Sequence, residues 1–175
     1  MNLTQHFTKE ELIYSDTAKK CKINNEPNEI QLKVLKHTCE YLLEPLRKLL
    51  NQKYITYCNK SVDKVVINIT SGFRCASLNK KVGGATTSQH LNGSAVDFEV
   101  VLKFENGTSF KLPYTEVFCF IKRYNRAGKL NLDQCILEHS GTANWVHISY
   151  HPSGKTLNRN EFLIYNNGKY VKAWL

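Results

Sequence analysis

The sequence has no long hydrophobic run, and its N-terminal segment MNLTQHFTKEELIYSD is polar and carries acidic residues. A membrane-spanning helix needs about 18 to 20 consecutive apolar residues, and a secretory signal peptide needs an apolar stretch of its own. Neither pattern is present. We therefore expect a protein that is made in the cytoplasm without a signal peptide and is not inserted into a membrane.

The sequence also lacks closely spaced cysteine pairs. Its six cysteines are Cys21, Cys39, Cys58, Cys75, Cys119 and Cys135. Structural zinc sites normally use ligands a few residues apart, so these cysteines do not predict such a site. A chain of 175 residues can bury enough apolar surface to fold without disulfide bonds. We predict reduced and mostly buried thiols.

Acidic residues are few, 15 against 24 lysines and arginines, which gives a formal net charge of +9. A chain of this sign is attracted to nucleic acid, anionic lipid or the anionic polymers of a bacterial envelope. The basic residues are scattered, and the aromatic and basic signature of an RNA-binding sheet is absent. We expect no specific nucleic-acid partner, although charge alone does not choose among polyanions.

The hydrophobic pattern predicts helices first and strands afterwards. Residues 28–50 have helical apolar spacing, and Pro45 inside them predicts a kink or a break near Glu44. Strands are predicted over 65–74, 95–104, 109–112, 134–138 and 145–150, with a helix over 115–128. This order predicts an α+β fold with N-terminal helices packed on a mainly antiparallel sheet. We expect a single domain over 1–175.

The C-terminal tail predicts a hairpin at about 160–175, within that domain. Phe162 to Tyr165 would pair with Tyr170 to Trp174 across an Asn-Asn-Gly turn. Such a hairpin can form an edge of the sheet or help to hold a cell wall. We favour the sheet edge.

The chemistry is concentrated around TTSQHLNGSAVDFEV, residues 86–100. A catalytic zinc takes three protein ligands and keeps one position open, and Gly93 permits a tight bend that brings His90 and Asp97 together. The natural third ligand is His147, which strand alternation places on the same face as Trp145. Six histidines and several carboxylates can be grouped in other ways, so this pattern does not stand alone.

These residues resemble a known family. SQHLNGSAVD, residues 88–97, resembles the SxHxxGxAxD signature of the zinc D-alanyl-D-alanine carboxypeptidases, a family related to hedgehog domains that includes phage L-alanyl-D-glutamate endolysins. SGFR (71–74) and WVH (145–147) are similar to two further motifs of that family. The phrases FTKEEL, SDTA and INNEP resemble its small, phage-type branch. The resemblance reaches about residue 150 and implies a hedgehog-like peptidase fold.

The resemblance also implies roles for individual residues. One Zn²⁺ would be bound by His90, Asp97 and His147. Arg74 would bind a substrate carboxylate or the developing oxyanion, with a surface salt bridge as the alternative. Ser88 would donate or accept hydrogen bonds at the rim of the site, or else cap the turn before His90. Trp145 would line the substrate pocket or lie in the core.

The general base is where the sequence departs from the family. Several branches place a glutamate three residues before the last histidine ligand, but this chain has Asn144 there. We predict that Glu138 is the base, brought beside His147 by a hairpin with a loop over 139–144. Asp133 and His139 are alternatives, and Glu138 can also be an ordinary residue at the end of a strand.

The resemblance therefore implies a zinc metallopeptidase that acts on the peptide of bacterial peptidoglycan, in the stem or cross-link. As a monomeric phage endolysin it would reach the wall after release by a holin, or as a virion-associated enzyme. The alternatives are a D,D-carboxypeptidase that removes terminal D-alanine and a non-catalytic zinc-containing phage structural or binding module. A polyanion-binding protein that needs no metal is a third.

Overall fold

The N-terminal third of the chain is helical in the computed structural model, which describes residues 1–58, 61–166 and 168–173. The short helices α1 (Lys9–Ile13) and α2 (Asp16–Lys20) come first. Thr8 caps α1 in a reciprocal arrangement, because its hydroxyl accepts the Glu11 backbone N–H and the Glu11 carboxylate accepts the Thr8 backbone N–H.

A long helical segment follows, and its α-helical pattern changes near the predicted position. Helix α3 (Glu29–Thr38) passes through a π-helical turn (Cys39–Leu43) into α4 (Glu44–Asn51), and a second π-helical segment (Gln52–Cys58) continues it. Pro45 has no N–H to donate to the carbonyl four residues earlier, so the regular hydrogen-bond ladder is interrupted just before it. The regular α-helical pattern is therefore interrupted near Glu44, while the helical backbone continues through this position.

The rest of the chain builds one seven-stranded sheet. Its strands are β1 (Val62–Ser71), β2 (Ala95–Phe104), β3 (Ser109–Lys111), β4 (Gln134–Ser140), β5 (Ala143–Ser149), β6 (Glu161–Asn166) and β7 (Lys169–Lys172). The order is β1-β2-β5-β4-β6-β7, with β3 paired to the distal half of β2. Helix α5 (Ala76–Lys81) lies between β1 and β2, and α6 (Tyr114–Arg126) lies between β3 and β4. The α+β prediction is confirmed.

Every strand pair is antiparallel except β4 with β6. After β5 the chain crosses back through a short 3₁₀ turn (Lys155–Leu157) and enters β6 in the direction of β4. The predicted C-terminal hairpin is then present as β6 and β7, and β7 forms the edge of the sheet. Trp174, predicted as the last residue of this hairpin, lies outside the described residues.

The β4–β5 hairpin is tighter than predicted. The expected loop over 139–144 is mostly strand, since His139 pairs with Asn144 and residue 140 pairs with Ala143. The turn is reduced to two residues because Gly141 adopts a left-handed conformation, with φ of 59°. The shorter turn extends the pairing of the two strands that carry Glu138 and His147.

The two faces of the sheet have different chemistry. One face is apolar and buried, and it includes Val96, Phe98, Val146, Ile148 and Cys135. Helix α6 packs against β4 and β5, and its Phe118 meets Phe162 of the neighbouring strand β6 edge to face. The other face carries Asp97 and His147 and holds the candidate site. Among the described residues, no helix combines the length and apolar character needed to cross a bilayer.

The cysteines agree only in part with the prediction. Cys21, Cys39, Cys75, Cys119 and Cys135 are free thiols. Only Cys39 and Cys135 are buried, so "mostly buried" is wrong for the described thiols. Burial raises the pKa of Cys39 to about 12, which makes that thiol unreactive. The Cys58 side chain lies outside the described part of the chain.

Candidate metal centre

Three predicted ligands converge from three elements. His90 lies in a 3₁₀ turn (Gln89–Asn92), while Asp97 on β2 is directly paired with His147 on β5. Asp97 Oδ1 lies 3.0 Å from His147 Nδ1 and 3.3 Å from His90 Nε2, and the two ring nitrogens are 3.2 Å apart. All three residues are buried, with 2 to 7 % of their surface exposed.

These distances fit zinc. Zinc bonds to nitrogen and oxygen of about 2.0 to 2.2 Å in tetrahedral geometry place neighbouring ligand atoms about 3.3 Å apart. Two neutral imidazoles and one carboxylate are also a donor set that zinc accepts in catalytic sites, with the fourth position left for water or substrate. Within the described residues, this is the one group of histidine, cysteine or acidic side chains close enough to share a metal ion.

The His90 turn is held by α3. Gly93 ends the turn with φ of 82°, and a Cβ at this position would come within 2.9 Å of the Gln31 carbonyl oxygen. The Gln31 side-chain amide donates to the Leu91 carbonyl, and the Thr38 hydroxyl donates to the Gly93 carbonyl. Gly93 therefore provides the bend that the sequence predicted, and it also permits the close approach of α3.

A second contact orients the His90 ring. Its Nδ1–H donates to the Gly72 carbonyl at 2.7 Å, which leaves Nε2 directed at the other two ligands. A Cβ on Gly72 would lie 2.1 Å from the Leu12 carbonyl oxygen, so only glycine fits here. The end of α1, the SGFR turn and the first ligand are thus packed as one unit.

Arg74 is part of this centre. Its Nη2 donates to Asp97 Oδ2 at 2.9 Å, and its Nε donates to the Ser71 hydroxyl at 3.0 Å. The Arg74 side chain is 16 % exposed, so its salt bridge to Asp97 lies within the candidate centre rather than on the open surface. Arg74 engages one carboxylate oxygen of Asp97 and leaves the other oxygen to face the two histidines. Its role toward substrate stays a prediction.

The ionisation of Asp97 follows from these contacts. Burial favours the neutral acid, but the charges and hydrogen bonds of His90 and His147 outweigh burial and lower the pKa of Asp97 below its ordinary value. The side chain is therefore an anionic ligand across the ordinary pH range.

Glu138 lies beside the centre on the same face of the sheet. It pairs with Trp145, and its strand neighbour two residues away, Ile136, pairs with His147. Burial raises the pKa of Glu138; the negative charge of Asp97 adds to this shift, while His147, Arg74 and Trp145 oppose it. A partly desolvated carboxyl next to a metal centre has the properties of a general base.

Asn144 could not replace Glu138 in this register. Alternation along β5 places Asn144 on the face opposite His147, and Asn144 is exposed there with its side-chain oxygen 2.6 Å from His139 Nδ1. The same alternation along β4 places His139 away from the centre. A carboxylate at 138 therefore occupies the correct face, which residues 139 and 144 do not.

Asp133 is committed to other contacts. It is buried, and its two oxygens accept hydrogen bonds from the Gln89 amide and from the backbone N–H, Nε and Nη2 of Arg159. Burial alone would raise the pKa of Asp133, but these bonds lower it. Asp133 is a poor proton acceptor and instead links the turn of His90 to the segment before β6.

Two further predicted residues flank the centre. Ser88 is half-buried immediately before the His90 turn, and its side chain forms no capping hydrogen bond. Trp145 is half-buried on the site face, beside Glu138. Their roles toward substrate stay predictions.

The sequence reasoning missed three supporting residues. Ser71 orients Arg74, and it stands in the SGFR motif, so the motif contained the signal. Gln89 and Arg159 orient Asp133, and no local pattern marks either one, because their relation depends on how residues 150–160 return to the sheet.

Two histidines, an aspartate and a neighbouring glutamate therefore meet at one face of the sheet in an α+β fold, an arrangement that fits a mononuclear metallohydrolase. The model of the Peptidase M15 family matches residues 5–111, more than half of the chain. The chain belongs to the Peptidase M15 family, which supports a peptidase. The matched segment contains Arg74, His90 and Asp97, and it ends before Glu138 and His147. No curated protein sequence matches the chain.

Proposed function

We propose that this protein is a zinc-dependent peptidase that hydrolyses a peptide bond in the stem or cross-link of bacterial peptidoglycan. The observation that carries the proposal is the convergence of His90, Asp97 and His147 with Glu138 on one face of the sheet. Membership of the Peptidase M15 family supports the same reaction class.

Each residue of the centre has a chemical task in this reaction. When bound, zinc would supply Lewis-acid activation of water and of the scissile carbonyl. Glu138 would accept the proton of the attacking water and deliver it to the leaving amine, which the raised pKa of its carboxyl favours. Arg74 would stabilise the developing oxyanion or bind a substrate carboxylate through guanidinium N–H groups not used by Asp97 and Ser71.

The position of the site favours an endopeptidase. The sheet continues past the centre through β4, β6 and β7 on the same face, so a substrate can extend beyond the residue that contributes the scissile carbonyl or amine. A D,D-carboxypeptidase needs only a terminal residue and a closed end. The net charge of +9 suits an anionic cell wall.

The biological setting is part of the proposal. A monomeric endolysin of the phage type would reach the wall after holin release or as a component of the virion. The family resemblance and the basic charge support this setting, and the substrate would be the peptidoglycan peptide rather than nucleic acid.

The test is mass spectrometry of purified peptidoglycan incubated with the zinc-loaded protein, with and without a chelator. We expect new amino and carboxyl ends at one internal peptide bond, and no new ends when the chelator is present. Release of D-alanine alone would indicate a carboxypeptidase instead of an endopeptidase. Unchanged fragments with the zinc-loaded protein would refute the proposed reaction.

A further inference from the structure

A row of residues extends the candidate site across four strands. Strand register places Trp145 opposite Glu138, Glu138 beside Tyr165, and Tyr165 opposite Tyr170. Directly paired residues point to the same side of a sheet, so these four residues, here called the aromatic row, share the face of the metal centre.

The aromatic row runs beside the metal ligands. The adjacent row on the same face consists of Asp97, His147, Ile136, Leu163 and Lys172. Strands lie about 4.8 Å apart, so Tyr165 and Tyr170 lie about 10 and 14 Å from the strand of His147. A substrate cleaved at the centre would reach the tyrosines after about three or four extended units.

The two tyrosines form an accessible aromatic surface. Their ring centroids are 4.7 Å apart with an interplanar angle of 46°. Tyr165 is half-buried and Tyr170 is 59 % exposed. An aromatic ring that is exposed on an edge strand contributes little to the free energy of folding. Burial, and then the negative charge of Glu138, raises the pKa of Tyr170, which agrees with a position in the same row as the candidate base.

We propose that Tyr165 and Tyr170 form a distal subsite that binds a sugar ring of the glycan strand to which the stem peptide is attached. This inference rests on the proposed function and names the part of the substrate that lies beyond the scissile bond. The hairpin that carries both tyrosines lies outside the segment that matches the family.

The chemistry of the substrate decides between sugar and peptide. The stem peptide carries mainly small or charged side chains, which gain little from two aromatic faces. A sugar ring offers a flat C–H face to an aromatic ring and hydroxyl groups to the phenol, and tyrosine combines an apolar face with a polar end. Lys172 on the same face adds an exposed N–H donor.

The test compares two ligands of known composition with the metal-free full-length protein, so that no cleavage occurs. One ligand is a disaccharide linked to a stem peptide, and the other is the same peptide without sugar. Calorimetry measures both affinities for the unmodified protein, for the double variant Tyr165→Ala/Tyr170→Ala, and for Val171→Ala. Val171 is 58 % exposed on the opposite face of β7 and serves as the matched control.

We expect the unmodified protein and Val171→Ala to bind the sugar-bearing ligand about tenfold more tightly than the peptide, and the double variant to lose this preference. Tyr165→Phe/Tyr170→Phe keeps the rings and should keep most of the preference if the double alanine variant folds poorly. No preference in the unmodified protein, an equal loss for both ligands, or no measurable binding would overturn the subsite. A retained sugar preference without cleavage of peptidoglycan by the zinc-loaded protein would count against the proposed reaction alone.

Discussion

The two halves of the candidate site are built differently. In the half within the family-matched segment, His90 and Asp97 are buried and Arg74 is half-buried, and hydrogen bonds hold these side chains to Ser71, the Gly72 carbonyl and one another. In the half beyond that segment, the third candidate ligand, His147, is buried, while Glu138 and Trp145 are half-buried. Strand register places all three side chains. The first half carries two of the three candidate metal ligands, and under the proposed function Glu138 and Trp145 in the second half would face the substrate.

The two carboxylates show the same contrast. Burial alone would raise the pKa of Asp97, but the charges and hydrogen bonds of His90 and His147 outweigh burial and lower it. The pKa of Glu138 is raised, because burial acts on a carboxyl without comparable partners. When the environments of two neighbouring acids shift their pKa values in opposite directions, one acid stays charged and the other is able to exchange a proton. The following changes test this division of labour.

The largest effect is expected from removing a ligand. His147→Ala should abolish stoichiometric zinc binding and lower peptide hydrolysis at least about a thousandfold, because the metal contributes several kcal/mol to the barrier and each 1.4 kcal/mol is about tenfold. Zinc content and hydrolysis rate are the measurements. His139→Ala, on the other face of β4, is the matched control and should keep both. Normal zinc content in His147→Ala would contradict the assigned centre.

A smaller loss is expected from the second carboxylate. Glu138→Gln should lower the hydrolysis rate about 10²- to 10⁴-fold, the contribution of a positioned acid or base, while zinc content stays at one per chain. Glu105→Gln, exposed in the turn after β2, is the control. Unchanged hydrolysis in Glu138→Gln would remove Glu138 as the base. A zinc-binding protein without hydrolysis even before mutation would instead indicate the non-catalytic module.

Much of the first half could be predicted from sequence because its information is local. His90, Gly93 and Asp97 stand within eight residues, and the bend at Gly93 brings the two ligands together. The position of Glu138 depends on the pairing register of β4 and β5, which the sequence indicates only indirectly. The predicted loop over 139–144 was too long, because Gly141 allows a two-residue turn. Even so, the predicted hairpin placed Glu138 on the strand next to His147.

The contacts of residues 150–160 could not be predicted. The parallel pairing of β6 with β4 brings Arg159 to Asp133, and the local sequence around neither residue predicts this contact. Long-range ion pairs of this kind depend on the path of the whole connection. For this reason Asp133 was a candidate base in the sequence and is a structural acid in the fold.

A moderate effect is expected when this long-range link is weakened. Asp133→Asn removes the charge that Arg159 and the Gln89 amide share, and Gln89 directly precedes the first ligand. We expect zinc affinity to fall about 10- to 100-fold, as for other groups that orient metal ligands, with the ligands themselves intact. Competition with a chromogenic chelator measures the affinity, and the exposed Asp63→Asn is the control. Unchanged zinc affinity would mean that Asp133 contributes only to the stability of the fold.

The smallest effect is expected in the thermal stability of the metal-free protein, whose pH dependence should differ between variants of the two carboxylates. Because the pKa of Glu138 is raised by folding, its carboxylate destabilises the fold at pH values above the raised pKa and has no effect well below the usual value of 4.5, where it is protonated in both folded and unfolded chains. Glu138→Gln should therefore raise the thermal midpoint near pH 7, and the gain should vanish as the pH falls below 4.5. Asp97→Asn should behave in the opposite way and lose stability at neutral pH, since it removes a paired anion from two histidines and Arg74. Equal pH responses in the two variants would mean that the two acids do not differ in environment, and the separation of metal ligand from proton acceptor would fail with it.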